Sequence, residues 1–239
     1  MNTRYLVVSE KKAEKRAKKY FMETCQVRAS KAGTQELQTA GMEILEEIKD
    51  NVRIKCAYRS VNQFRIQGNI LTIDGVELKC NVIEHFGKAM IEKVYLYVVT
   101  SGEYRIDSEQ LSRLFYADSW GTAFVQSARD TIREAIEEEN PGSFVLESFG
   151  PGYFGMPLEE IAKFFQLINC KPIGVLYNES GLMVPVKSLA GINVVLKSPI
   201  EIDIDDCRSC IGDKTGCEFC STRIKRKERL RNVRKQENL

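Results

Sequence analysis

The sequence predicts an α+β fold in which short antiparallel strands alternate with helices, followed by a four-cysteine segment and a basic tail. Three observations carry this. Hydrophobic residues recur every two positions between Arg53 and Ile73 and near every 3.6 positions in two other stretches. Turn residues punctuate the alternating part at short intervals. The length, 239 residues, suits one large domain with appendages, and 43% apolar with 28% charged residues is the balance of a folded chain that can bury a core.

The elements follow in chain order. Tyr5 to Val8 is a short apolar patch, and Ser9 to Met22, rich in Lys and Glu, predicts a solvated helix or arm. Apolar patch before charge run reverses the order of a signal peptide, and no apolar run approaches the ~20 residues of a membrane span. A cytoplasmic location is expected. Thr34 and Glu36 open a helix in which Leu37, Gly41, Ile44, Leu45 and Ile48 share a face, predicted to pack on a sheet. From Arg53 the period becomes two. Ile54, Cys56 and Tyr58, then Phe64 and Ile66, then Leu71 and Ile73 mark strands, with Gly68-Asn69 and Asp74-Gly75 as turns.

Val94 to Thr100 reads as a longer buried strand ending at Ser101-Gly102. Asp107 is a candidate cap for a helix beginning at Ser108, and a second helical pattern runs from Asp118 to Glu139, closed by Asn140-Pro141-Gly142. A strand near Phe144 to Leu146 leads into a loop, Ser148 to Pro157, with three glycines and two prolines. Pro157 then starts a helix, and strands are expected at 173–177 and 191–196. The organisation expected is a basic N-terminal helix or arm (1–30), a main domain (31–200), a metal-binding segment (201–222) and a basic tail (223–239).

The net charge of +2 conceals a segregation: residues 21–220 hold twenty basic and twenty-nine acidic residues, while both ends are basic. Eight cysteines accompany a single histidine, His85. Cys207, Cys210, Cys217 and Cys220 form two C-x2-C pairs, the four sulfurs that tetrahedral zinc or an iron-sulfur cluster requires. The spacing leaves the two metals open. Zinc would make a clasp, and a cluster an electron carrier. Cys25, Cys56, Cys80 and Cys170 have no ligand spacing and read as buried thiols. The tail has Lys or Arg at eight positions between 223 and 235 but no interleaved aromatics, which fits a docking arm better than a nucleic-acid contact.

The loop at 148–157 lacks Gly-Lys-Ser/Thr and G-x-G-x-x-G patterns, yet its glycines allow main-chain groups to approach a small polar ligand. Taken with Val99-Thr100-Ser101-Gly102, the helix carrying Glu134, Pro151-Gly152-Tyr153, Ile173-Gly174-Val175, Glu179-Ser180, Met183-x-Pro185 and Lys187-Ser188-x-Ala190-Gly191, it gives the sequence a family likeness. Over about residues 35 to 200 the chain resembles the activation (S-adenosylmethionine-binding) domain of cobalamin-dependent methionine synthase, most of all its stand-alone bacterial relatives in corrinoid methyltransferase systems.

The resemblance implies a twisted antiparallel sheet with flanking helices and a role in reductive reactivation, in which an oxidised corrinoid is reduced and remethylated from S-adenosylmethionine. Gly150, Gly152 and Tyr153 match the ligand-holding loop, and Glu134 matches a carboxylate facing the ligand. The family's Arg before the loop, which pairs with the ligand's carboxylate, is replaced by Ser148, and Lys187 is a candidate substitute. With no D-x-H-x-x-G corrinoid motif in the chain, the corrinoid is expected on a partner protein, with a low-potential electron donor a further possible partner. The other readings are a metal-clasped binding or electron-transfer module that no longer holds S-adenosylmethionine, and a zinc nucleic-acid-binding protein.

Overall fold

The structure is a computed structural model that describes residues 2–28, 34–85, 90–103, 106–146, 148–153 and 155–198. Its centre is a five-stranded antiparallel sheet in the order β1-β2-β6-β10-β7, formed by Arg4–Val7, Lys55–Val61, Ile91–Thr100, Ser188–Leu196 and Phe144–Val145. The middle strand β6 pairs with β2 through Val61↔Val94 to Lys55↔Thr100 and with β10 through Ser188↔Thr100 to Leu196↔Ile91. Its unbroken apolar run follows from burial on both faces. Tyr95, Tyr97 and Val99 point into one core, and Val94, Leu96 and Val98 into the other.

The first core lies under three helices, α1 (Glu10–Arg28), α2 (Thr34–Ile48) and α3 (Leu111–Glu139). The second lies under α4 (Ile161–Leu167) and a three-stranded antiparallel sheet, β3 (Arg65–Gln67), β4 (Ile70–Ile73) and β5 (Val76–Lys79). A two-stranded hairpin, β8 (Leu176–Tyr177) and β9 (Met183–Val184), precedes β10. The α+β class with an antiparallel sheet is as expected.

Several local expectations are met. Asp74 and Gly75 have φ of 49° and 81° in the two-residue turn between β4 and β5, where left-handed backbone suits the strand twist. Ile44, Leu45 and Ile48 of α2 are buried, but α2 packs mainly against α1 and α3. Gly41 is needed there because a Cβ would run into the Phe21 ring, which stacks on Trp120 with centroids 4.0 Å apart. The Trp120 indole N–H donates to the Gly41 carbonyl at 2.7 Å.

Other expectations change. The helix expected from Ser108 and the pattern from Asp118 are one helix, α3, whose N-cap is Gln110. Neither Gly nor Pro separates the two stretches, and Gly121, inside the second, is buried within the helix. The segment 1–30 is more than an arm in its described part. β1 pairs with β2, and α1 buries Ala13, Ala17 and Phe21 against α3 while its Lys residues face outward. After Pro157 the chain makes a 3-10 turn, Leu158–Glu160, before α4, and the strand expected at 173–177 is confined to Leu176–Tyr177, preceded by a 3-10 turn over Lys171–Ile173. Residues 201–222 and 223–239 lie outside the described residues. No helix among those described is long and apolar enough to cross a membrane.

Candidate functional site

The loop after β7 runs along β10, and glycine makes the fit possible. Phe149 and Ile192 exchange backbone hydrogen bonds of 3.0 and 2.7 Å. Gly150 then passes so close that a Cβ would strike the Ala190 carbonyl oxygen and lie 2.9 Å from the Gly191 Cα. Gly152, with φ of +89°, turns the chain back so that its N–H reaches the Met156 carbonyl at 2.9 Å. These two glycines are accounted for by backbone approach and backbone conformation.

Tyr97 of β6 joins this loop to the sheet. Its register partner on β10 is Gly191, and a side chain there would collide with the Tyr97 ring, so the ring lies across β10 toward the loop. The Tyr97 hydroxyl donates to Ser148 Oγ at 2.9 Å and lies 3.4 Å from the Tyr153 hydroxyl. Burial pushes the Tyr97 phenol well above its usual range. It raises Tyr153 as well, opposed by the Tyr97 hydrogen bond and the charge of Arg129. Both remain neutral hydroxyls at physiological pH.

Arg129 of α3 brings the cation. Burial disfavours its charge, but the nearby Tyr97 and Tyr153 hydroxyls and Asp130 outweigh that and hold its pKa above the usual value. Its side chain is 30% exposed, and its guanidinium lies 3.8 Å from the Asp130 carboxylate, which accepts a hydrogen bond from Tyr20. One turn earlier on α3 is Gln126, whose Oε1 is shielded from solvent without a partner. Among the described residues the only other such oxygen is Oδ1 of Asn193 on β10. The loop, β6 and α3 thus bring two neutral hydroxyls and one guanidinium into one neighbourhood, groups of the kind that bind a polar ligand with an anionic end.

The structure brings Gly150 and Tyr153 together, with Gly152 in the same loop. Glu134 is engaged elsewhere: it pairs with Arg16 and, at 3.0 Å, with Lys12, both on α1, and the Arg16 hydrogen bond lowers its pKa. Lys187 ties the turn before β10 to α3, its ammonium 2.6 Å from Asp118 and 3.2 Å from the Thr122 hydroxyl. Its carbonyl accepts the Ser101 N–H at 3.0 Å. Cys207, Cys210, Cys217 and Cys220 lie outside the described residues, among which no group of three or more His, Cys, Asp or Glu could hold a metal. Cys56, Cys80 and Cys170 are buried free thiols.

Sequence reading missed Tyr97, Gln126 and Arg129. Tyr97 sits in an apolar run where a tyrosine reads as core, and Arg129 reads as one more charge on a long helix. Only Gly191, part of the Lys-Ser-x-Ala-Gly motif, gave a signal, because a glycine inside a strand implies a close approach.

No family model matches the sequence, and no curated protein matches it. Among solved structures the chain is similar to the crystal structure of the MetH reactivation domain bound to AdoHcy, with a TM-score of 0.56 and 11% sequence identity over 87% of this chain and 84% of that one. At that identity the likeness is one of fold.

Proposed function

We propose that this chain binds S-adenosylmethionine beside the 148–153 loop and acts as an accessory protein in reductive reactivation of a corrinoid-dependent methyltransferase. The observation that carries the reading is the likeness of fold, over most of both chains, to a reactivation domain that holds AdoHcy, the demethylated form of that ligand. The loop chemistry supports it. Gly150 and Gly152 keep the backbone low against β10, and Tyr153 presents a neutral hydroxyl beside Tyr97.

When bound, S-adenosylmethionine supplies a sulfonium methyl group for the corrinoid. The residues of this chain orient the ligand. The corrinoid comes on a partner protein. Glu134 and Lys187 join the site only by releasing Arg16 and Lys12, or Asp118. The four cysteines hold zinc or an iron-sulfur cluster, in the second case as the relay for the reducing electron.

Calorimetric titration with S-adenosylmethionine and AdoHcy tests the reading. Saturable binding of both, weakened in Tyr153→Phe, is expected. Absence of binding by either sinks it. Ser148 favours a second reading, a metal-clasped module that has lost this ligand, because Tyr97 occupies the serine and the loop has no cation of its own.

A further inference from the structure

We propose that the outer face of the β8–β9 hairpin and the first turns of α3 form one apolar surface that joins two copies of this chain in a twofold dimer.

A hairpin packed on a core turns one face inward and the other to water, and the outward face is ordinarily polar. Here both faces are apolar. The register pairs Tyr177 with Met183 and Leu176 with Val184. Tyr177 and Met183 face the protein: the Tyr177 ring centroid lies 5.7 Å from that of Phe165, and Met183 packs against the second core. Leu176 and Val184, on the opposite face, are exposed. So are Leu182 and Val186, two residues to either side of Val184, with Val186 73% exposed.

The start of α3 has the same character. Leu111, Leu114 and Phe115 are exposed, Leu111 at 81%, and their spacing of seven, four and three residues from Asp118 puts all three on the Asp118 side of the helix. Lys187, the neighbour of Val186, reaches that side, with its ammonium on Asp118 and on the Thr122 hydroxyl. Helix stripe and hairpin face are thus bridged by a single lysine side chain.

Size and charge favour a second copy as the occupant. The two segments present on the order of 600 Å² of apolar area, against ~300–600 Å² for the largest patch of a typical monomer and ~800 Å² per partner, polar rim included, in a standard interface. Charges inside the patch are already paired, Asp118 with Lys187 and Arg113 with Glu47. The whole chain carries a net charge of only +2, so two copies meet without strong repulsion. A helical ridge beside a flat hairpin is also complementary to itself. A twofold axis lays the ridge of each copy on the hairpin of the other, and the contact closes at two.

Sedimentation equilibrium of the full chain, under reductant, tests the assignment. A monomer–dimer equilibrium is expected with Kd on the order of 10 μM, as suits an interface at the small end of the stable class. Leu111→Glu, which places an acid where the helix dipole favours it, and Val186→Glu should each raise Kd by about tenfold or more without loss of fold. Phe144→Glu, exposed at the far end of β10, should leave Kd unchanged. Hydrogen exchange of the wild type gives a reading free of substitutions: protection at 111–115 and 176–186 should rise together as the concentration passes through Kd. A wild type that stays monomeric at about 100 μM overturns the assignment, as does a dimer unmoved by both patch substitutions. Oligomers beyond two overturn it as well. So does protection of these segments that is independent of concentration, because another part of the chain then covers the face.

Discussion

Replacing Gly150 by alanine sets two effects of opposite sign against each other. Gly150 lies outside the left-handed region, so its backbone suits alanine, and the loss of unfolded-state freedom should stabilise by about 0.4–1 kcal/mol. Against this, the new Cβ meets the Ala190 carbonyl oxygen, the Gly191 Cα at 2.9 Å and the Tyr153 hydroxyl at 3.0 Å. The first two are backbone of β10, which is fixed to β6 from Ser188↔Thr100 to Leu196↔Ile91 and cannot retreat. The loop must therefore lift. Overpacking of this kind costs about 1–3 kcal/mol, and strain on the Phe149–Ile192 hydrogen bonds adds about 1 kcal/mol for each one lost.

The net is a loss of about 1–3 kcal/mol, or roughly 3–10 °C in Tm for a chain of this size. Scanning calorimetry measures it, and titration with AdoHcy should show weaker binding because Tyr153 moves with the loop. Gly142→Ala is the comparison: φ is +83° but nothing lies within 4 Å of the added Cβ, so its cost is conformational, about 1–2 kcal/mol, and ligand affinity stays as in wild type. A Gly150→Ala protein with wild-type Tm and wild-type affinity would refute the close packing of loop on strand.

Three further outcomes are expected. Burial raises the Cys56 and Cys170 thiols to about 12 and Cys80 to about 11, which leaves on the order of one thiolate in a thousand or fewer at pH 8. Native alkylation followed by peptide mapping should leave all three unmodified, and rapid labelling of any of them contradicts the burial. The Glu134 carboxyl has its folded pKa lowered, first by Arg16, so its contribution is present above the unfolded value near 4.5 and is lost as pH falls through the folded pKa. Since Glu134 is 40% exposed, Glu134→Gln should cost under about 1 kcal/mol in urea denaturation near pH 6 and less as the pH is lowered; a larger cost at the acid end reverses the sign and defeats the argument. Anaerobically purified protein should carry one thiolate-held metal centre per chain, lost in Cys210→Ser. Iron with sulfide and a visible chromophore identifies a cluster, stoichiometric zinc a clasp, and metal-free protein removes both.

Where the sequence is informative, the information is local. Asp74-Gly75 gives its turn because left-handed backbone is a property of those residues, and β6 is legible because six consecutive apolar or tyrosine positions, Val94 to Val99, need two buried faces. The merger of two helical patterns into α3 is less legible: Tyr116 and Trp120 are held by Phe21 of α1, a contact spanning some hundred residues. The Tyr97–Ser148–Tyr153 group is of the same kind. Its members are 51 and 56 positions apart, and they meet only because β6, β10 and the loop stand side by side in one register. Loop glycines announce a tight backbone, whereas nothing around Arg129 distinguishes it from the other arginines of its helix. Glu134 shows the converse, since its position on a motif-bearing helix drew attention that its ion pairs with α1 now explain.

Trp120 is the single tryptophan of the chain, and it sits where α1, α2 and α3 meet, stacked on Phe21 with its N–H on the Gly41 carbonyl. The protein thus contains its own optical reporter for that junction. If α1 separates from α3, the indole loses its stacking partner and meets water, and its emission shifts to the red. Because Arg129 lies on the same helix about two and a half turns away, the emission distinguishes a ligand that settles beside it with the helical layer intact from one that first loosens that layer.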